Sequence, residues 1–127
     1  MGLLLDTVYM TVTEDDNGIL VLCWKEQTAH LTDNLFKEQA QLFVSLVQKQ
    51  NSRQILVDMR NFSYALSYEI ITWRNENIIS EYNRLNVKKF AFISNKPTVK
   101  QDDVRNSFVT RSFSREQEAK NWLLSSS

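Results

Sequence analysis

The pattern of apolar and polar residues near the start of the chain predicts a β-hairpin. Apolar and polar residues alternate through residues 8–13, which is the period of a half-buried strand. Asn17 and Gly18 follow, and this dipeptide favours a tight turn because both residues tolerate positive φ. Residues 19–24 are mostly apolar and form the predicted returning strand. The aspartates that precede the turn are interpreted as turn residues and not as a metal site.

Further along the chain, helical and strand patterns alternate. In residues 33–50 apolar side chains recur every three or four positions, so we expect a helix that Thr32 or Asp33 caps. The runs 55–57 and 90–93 are continuously apolar, as in strands buried on both faces of a parallel sheet. The inward-facing residues of this helix are expected to be Phe36, Ala40, Phe43 and Val47. The two strands are expected to bury Ile55, Val57, Phe90 and Phe92.

The second half of the chain predicts two more helices and a last strand. One helix is expected over about residues 67–85. Its inner face is expected to contain Ile71, Ile78, Tyr82 and Leu85. A loop follows the 90–93 strand, and its segment 99–108 could form a helical turn or two. Residues 110–113 predict a short strand, and residues 114–117 (Ser-Arg-Glu-Gln) have the sequence of a capping box. The capping box opens a final helix with the inward residues Ala119, Trp122 and Leu123.

The predicted order of elements is strand, strand, helix, strand, helix, strand, strand, helix. Strands that a helix connects pair in parallel through right-handed crossovers, whereas the hairpin pairs antiparallel. We therefore expect one α/β domain over residues 1–127, with a mixed sheet of four to five strands. The N-terminal hairpin lies at one side of this sheet, and the helices pack on it.

Two stretches, together with the order of elements, resemble a known family. Residues 111–123 contain Arg-x-Phe, an acidic helix start and Ala-x-x-Trp-Leu, and residues 55–58 are Ile-Leu-Val-Asp. These features resemble the STAS superfamily (sulfate-transporter and anti-sigma-factor-antagonist domains), especially its STAS-like branch of small bacterial proteins. The resemblance implies a STAS-like fold and a non-enzymatic regulatory or protein-interaction module in signalling. The broader group is also similar to lipid-transfer domains of the CRAL-TRIO type. That similarity gives an alternative, a carrier or sensor of a small hydrophobic or lipid-like ligand.

The same resemblance singles out one serine. In anti-sigma-factor antagonists, a strand ending in Asp leads to an Asp-Ser-Ser/Thr-Gly motif whose Ser or Thr is phosphorylated by a partner kinase. Asp58 matches the strand-end Asp, and Ser67, nine residues later, falls at the phosphoacceptor position. Leu66 replaces the Asp of the motif, Tyr68 follows the serine, and the Gly is missing. Ser67 is therefore a candidate phosphoacceptor or, more simply, the N-cap of the second helix.

The segment after Asp58 is the expected functional surface, because ligands of open α/β sheets bind beyond the carboxyl ends of the strands. Arg60 and Asn61 could hydrogen-bond an anion, or the segment could simply close the end of the core. Trp73 and Arg74 are residue types that anchor protein interfaces, although Trp73 could also pack against a neighbouring element. The candidate site residues are Asp58, Arg60, Asn61, Ser63, Tyr64, Ser67, Trp73 and Arg74.

Composition narrows the classes of function. The chain contains 15 Lys plus Arg and 15 Asp plus Glu, so it lacks the basic excess of a nucleic-acid-binding domain. One Cys, one His and two Gly exclude a Cys/His zinc site and a glycine-rich phosphate loop. The cysteine, Cys23, lies in an apolar run and is expected to be a small buried hydrophobe. Since no catalytic motif is found, we expect a protein that is not an enzyme and has no cofactor.

The sequence also leads to expectations about the cellular location of the protein and about its partners. The apolar runs are too short for a membrane-spanning helix, and the first ten residues lack the features of a secretory signal. We therefore expect a cytoplasmic protein. The expected partner is another protein or a second copy of this chain, with a small apolar ligand as the alternative.

Overall fold

The computed structural model describes residues 2–95 and 108–125, which form an α/β fold around a mixed sheet of six strands. The strands are β1 Gly2–Asp6, β2 Met10–Glu14, β3 Leu20–Trp24, β4 Gln54–Asp58, β5 Lys89–Ile93 and β6 Val109–Phe113. The helices are α1 Asp33–Gln50, α2 Tyr68–Arg74, α3 Ser80–Arg84 and α4 Glu116–Leu124. A 3-10 turn, Glu26–His30, precedes α1, and a π-helical turn, Asn75–Ile79, joins α2 to α3.

The strands follow one another across the sheet in chain order, from β1 to β6. β1 to β3 pair antiparallel, whereas β3 to β6 pair in parallel. The mixed sheet with an N-terminal hairpin is confirmed, but the predicted count of four to five strands is wrong because β1 adds an edge strand. Three consecutive leucines in β1 do not alternate with polar residues, so its strand conformation depends on the ladder to β2. The helical turn predicted within 99–108 lies outside the described residues, except for Phe108.

The β2–β3 hairpin forms where the sequence predicts it. Gly18 has a φ of 82°, which a residue without a Cβ adopts at no steric cost. Asp15 closes the turn, because its Oδ1 accepts hydrogen bonds from the backbone N–H groups of Asn17 and Ile19, both 2.9 Å long. Asp15 is thus a turn residue, as predicted. β2 begins later than the predicted strand, so Val8 lies outside it and is exposed.

Two hydrophobic clusters lie on opposite faces of the sheet. The larger cluster is covered by α1 and by the α2–α3 helix, and α1 buries all four of its predicted inner residues there. The strand residues at its centre are Leu20, Leu22, Trp24, Ile55, Val57 and Phe90. The smaller cluster lies under α4 and consists of Ile19, Leu56, Ala91, Ile93, Ala119 and Leu123. Because β4 has β3 and β5 on either side and a helix on each face, its apolar run is doubly buried, as predicted.

α4 docks on the smaller cluster through Ala119 and Leu123, which are fully buried. The capping box predicted at residues 114–117 is wrong. The helix begins at Glu116, and the residue before it, Arg115, is extended and makes no side-chain cap. β6 pairs with β5 to the end of its length, so the chain needs the next two residues to turn before a helix can start.

The C-terminal end of α4 is held by polar residues of the sheet. Lys89 Nζ donates a hydrogen bond of 2.8 Å to the carbonyl oxygen of Trp122. Gln54 Nε2 donates one of 2.9 Å to the carbonyl oxygen of Leu123. Both bonds satisfy carbonyl groups that have no partner within the helix, and the ammonium group also complements the negative end of the helix dipole. The first residues of β4 and β5 therefore fix the place of α4 on the sheet.

Candidate functional site

The loop that follows β4 has a fixed shape because it is tied to the 3-10 turn before α1. Thr28 in that turn is fully buried, and its Oγ1 accepts a hydrogen bond of 3.0 Å from the backbone N–H of Ser63. The ring of Tyr64 stacks on Phe36 of α1, with 5.8 Å between the ring centroids. These contacts leave Asn61 and Ser63 exposed at the surface, while the aromatic side chain turns inward.

Asp58 ends β4 with its carboxylate on the face of the sheet that α4 covers, opposite to the side chain of Val57. Arg60 folds back on this carboxylate and donates hydrogen bonds from Nε to Oδ1 (3.0 Å) and from Nη2 to Oδ2 (2.7 Å). Burial by itself would raise the pKa of Asp58, but the hydrogen bonds from Arg60 hold that pKa below its usual value. The guanidinium that could hydrogen-bond an anion is thus already paired with a carboxylate of the chain.

The thiol of Cys23 lies beside this ion pair. Its Sγ is 3.8 Å from Oδ2 of Asp58, and the residue is half-buried, less than we expected for a small hydrophobe. Burial raises the pKa of the Cys23 thiol, and the neighbouring carboxylate raises it further. A thiol with a raised pKa is a poor nucleophile at neutral pH, so this pair has no features of a reactive cysteine site.

Ser67 directly precedes the helix over the larger cluster, and its Oγ accepts a hydrogen bond of 3.2 Å from the backbone N–H of Ile70. This is the geometry of an N-cap. Ile70 is buried, whereas Ile71, which we predicted on the inner face, is 41% exposed. The cause is the π-helical turn Asn75–Ile79, which contains more residues per turn than an α-helix. Regular spacing from Ile71 to Ile78 therefore does not bury both side chains equally, and Ile78 is 3% exposed.

Trp73 packs sideways against α1. It is half-buried beside the larger cluster, and Nζ of Lys37 lies 5.5 Å from the centroid of its ring. This distance is typical of a cation–π contact. Of the two alternatives for Trp73, packing against a neighbouring element agrees with this geometry.

A cavity of about 850 Å³ lies between the α2–α3 helix and the sheet. Residues of α1 and of the loop after β4 complete its walls. Its aromatic lining consists of Trp24, Phe36, Phe43, Phe62, Tyr82, Phe90 and Phe92. The predicted full burial of Phe92 is wrong, because its ring forms part of the cavity wall and is only half-buried. The space is therefore a partly open, mostly apolar cavity next to the carboxyl ends of the parallel strands.

Arg74 and Tyr82 are the ionisable side chains among the described residues that line this cavity. Burial lowers the pKa of Arg74 and raises that of Tyr82. A guanidinium does not lose its proton in proteins, so Arg74 is charged, and the raised pKa of Tyr82 keeps its phenol protonated at neutral pH. Both side chains line the same cavity, and each opposes the effect of burial on the pKa of the other. Within the described part of the chain, neither the guanidinium nor the phenol makes a hydrogen bond or an ion pair.

The eight residues predicted for the site do not form one surface. Asp58 and Arg60 lie on the α4 side of the sheet. Ser67, Trp73 and Arg74 belong to the helix on the opposite side. Of the eight, Arg74 is the residue that lines the cavity.

The sequence did not bring Arg74 and Tyr82 together. The sequence predicts that Tyr82 lies in the core and that Arg74 lies at a protein interface. Eight positions on a regular α-helix separate two side chains by about 80° around its axis. The π-helical turn between them winds more slowly and turns both toward the same face. Nothing in the sequence of residues 75–79 marks such a turn.

Comparisons of this chain with protein-family models, with curated proteins and with solved structures give no match. Similarity to the STAS superfamily therefore stays a prediction from the sequence. In residues 2–95 and 108–125, His, Cys, Asp and Glu side chains form no group of three or more that could hold a metal ion. In the part of the chain that the structure describes, every helix is too short or too polar to span a lipid bilayer.

Proposed function

We propose that the protein carries or senses a small apolar ligand, which it binds in the cavity between the α2–α3 helix and the sheet. The observation that supports this function is the cavity itself, with its volume of about 850 Å³ and its aromatic lining. Ligand sites in proteins are typically clefts of about 300–1,000 Å³ with mostly apolar walls and a few polar groups. Protein interiors are otherwise closely packed, because unfilled apolar space is destabilising.

The helix above the cavity supports the same proposal. One wall is formed by the π-helical turn, whose residues Asn75, Ile78 and Ile79 line the cavity. Turns of this kind are rare and occur frequently at functional sites. The irregular helix shapes this wall, so the irregularity and the cavity have one explanation.

The alternative is a protein-interaction module that acts through the loop after β4 and through α2. Such a module is expected to be filled and convex near Ser67, whereas a carrier requires apolar space there. Leu66, the residue before it, lines the cavity. The expected contact residues Arg60 and Trp73 are also engaged within the chain. The carrier is therefore the function that this geometry favours.

The test fills the cavity from α1. Ala40 lines the cavity, so Ala40→Trp places an indole in it. Leu42→Trp makes the same kind of change at a position of the same helix that is 36% exposed. We expect the wild-type chain and Leu42→Trp to bind the neutral fluorophore N-phenylnaphthylamine at one saturable site. Ala40→Trp should bind it at least about tenfold more weakly.

Two measurements complete this test. Circular dichroism melting checks that Ala40→Trp is folded, and the smaller change Ala40→Leu replaces it if it is not. Native mass spectrometry of the purified wild-type chain should show an added small-molecule mass that Ala40→Trp lacks. Equal binding of the fluorophore by all variants would mean that it does not occupy the cavity, and the proposed function would be wrong.

A further inference from the structure

The chemistry of the ligand follows from Arg74, which is the last residue of α2 and lies directly before the π-helical turn. Two other arginines of this region are paired, Arg60 with Asp58 and Arg84 with Glu81. No described residue accepts a hydrogen bond from the guanidinium of Arg74 or carries a carboxylate against it. A charged group beside apolar walls costs free energy unless it is paired, and guanidinium does not lose its proton. The folded chain therefore keeps a positive charge at the cavity without a counter-charge among its described residues.

Tyr82 adds a second donor to the same cavity. Its ring is fixed by aromatic neighbours, with centroid distances of 5.4 Å to Phe90 and 6.3 Å to Phe43. Its hydroxyl makes no hydrogen bond with a described residue, although buried tyrosine hydroxyls usually have a partner. The side chain is 4% exposed and lines the cavity, so a ligand in the cavity can supply an acceptor for this hydroxyl.

We propose that the ligand is an apolar carboxylate, such as an acyl or aryl acid, whose carboxylate pairs with Arg74 and accepts a hydrogen bond from Tyr82. This inference rests on the proposed function, because it needs the cavity to hold a ligand. The planar guanidinium presents two parallel N–H groups that match the two oxygens of a carboxylate. The phenol supplies a third hydrogen bond, and the aromatic walls contact the apolar part of the ligand.

Charge balance selects a carboxylate over a phosphate. Arg74 is the charged side chain among the described residues of the lining, so it balances one negative charge. A carboxylate carries one charge, whereas a phosphate monoester carries about 1.5 to 2 negative charges at neutral pH. The surplus charge of the phosphate would remain unpaired between aromatic walls. Polar but neutral lining residues, such as Asn75 and Asn83, cannot neutralise it.

The experiment compares head groups on one alkyl chain. Decanoate, decanol and decyl phosphate displace N-phenylnaphthylamine from the wild-type chain and from the variants Arg74→Gln, Tyr82→Phe and Arg84→Gln. Arg84→Gln is the matched control, because Arg84 pairs with Glu81 on the outer surface of the same helix. In the wild type and in this control, we expect decanoate to bind at least about tenfold more tightly than decanol or decyl phosphate.

The variants separate charge from apolar contact. Arg74→Gln should weaken decanoate binding by about 10- to 100-fold and leave decanol binding unchanged. Tyr82→Phe should weaken decanoate binding by about 3- to 10-fold and should also leave decanol binding unchanged. If Arg74→Gln does not fold, Arg74→Lys keeps the charge without the planar fork and should give an intermediate loss.

The remaining outcomes of this experiment distinguish a failure of the inference from a failure of the proposed function. If the fluorophore and decanol bind but decanoate is not preferred, the inference is wrong and the proposed function stands. The same holds if the preference survives in Arg74→Gln, or if decyl phosphate binds more tightly than decanoate. If neither the fluorophore nor any of the three alkyl compounds binds, both the proposed function and this inference are wrong.

Discussion

Arg60 holds the carboxylate of Asp58 at two points, with Nε 3.0 Å from Oδ1 and Nη2 2.7 Å from Oδ2. The carboxylate is nearly buried at the carboxyl end of β4, whereas the guanidinium is 43% exposed. Asp58 and Arg60 therefore form a structural ion pair, and the strength of this pair should depend on pH.

The first prediction is a pH-dependent loss of stability in Arg60→Gln. The folded-state pKa of Asp58 is lowered, so the pair stabilises the fold above the usual pKa of aspartate and loses this effect as the pH falls through the folded-state value. We expect Arg60→Gln to lower the free energy of unfolding by about 1–2 kcal/mol at about pH 7, and by much less at about pH 3. Urea denaturation at both pH values measures this. A loss that does not change with pH would mean that Arg60 stabilises the fold through packing alone.

The second prediction compares two adjacent leucines of α4. Leu123 is fully buried in the smaller cluster, and Leu124 is 46% exposed. Leu123→Ala should lower the free energy of unfolding by about 2–4 kcal/mol, because it leaves a cavity between helix and sheet. Leu124→Ala should cost less than about 1 kcal/mol. Equal losses, measured by urea denaturation, would show that α4 does not dock through Leu123.

The third prediction concerns two phenylalanines of β5 that lie on the same face. Phe90 is 3% exposed, whereas Phe92 is half-buried at the cavity wall. Phe90→Ala should cost about 3–5 kcal/mol of unfolding free energy. Phe92→Ala should cost about 1–2 kcal/mol, because its ring already borders unfilled space and fewer contacts are lost. A cost for Phe92→Ala as large as that of Phe90→Ala would contradict the position of Phe92 at the cavity wall.

The fourth prediction is that Arg74 destabilises the ligand-free fold. Replacing an unpaired charge beside apolar walls with leucine should raise the free energy of unfolding by about 0.5–2 kcal/mol. The thermal midpoint of Arg74→Leu should then rise by about 2–5 °C in the absence of ligand. Arg84→Leu, at a paired surface position, should change stability by less than about 0.5 kcal/mol. A lower midpoint for Arg74→Leu would show that this arginine supports the fold rather than a ligand.

The fifth prediction separates a carrier from a protein-interaction module. Ser67→Asp retains an N-cap and adds a negative charge at the helix start, and Trp73→Ala removes the ring that packs beside Lys37. For a carrier, we expect both variants to keep the molar mass of the wild type in light scattering. Pull-downs from cell extract should also capture the same proteins. A change of mass or of captured proteins in both variants would favour the interaction module. Ser67→Ala serves as the control for loss of the cap.

Much of the fold could be predicted because its signals are local. The hairpin at Asn17-Gly18, the helix Asp33–Gln50 and the buried strand Gln54–Asp58 all show in the sequence and in the structure. Each depends on side-chain periodicity or on turn chemistry within a few residues. β1 was missed because an edge strand needs its neighbour to supply the hydrogen bonds.

The residue pattern along the chain is enough to predict the class of the fold, the buried faces of α1 and β4, and the residue types available to a site. It also placed Arg74 among the candidates, although for a different role. The pairing of Arg60 with Asp58, and the cavity that Arg74 and Tyr82 both line, depend on how the elements pack in the folded chain. A cavity is the space left between several packed elements, so its existence depends on contacts between residues far apart in the chain. The direction of Arg74 depends in turn on the π-helical turn above the cavity, and no periodic pattern in the sequence records that turn.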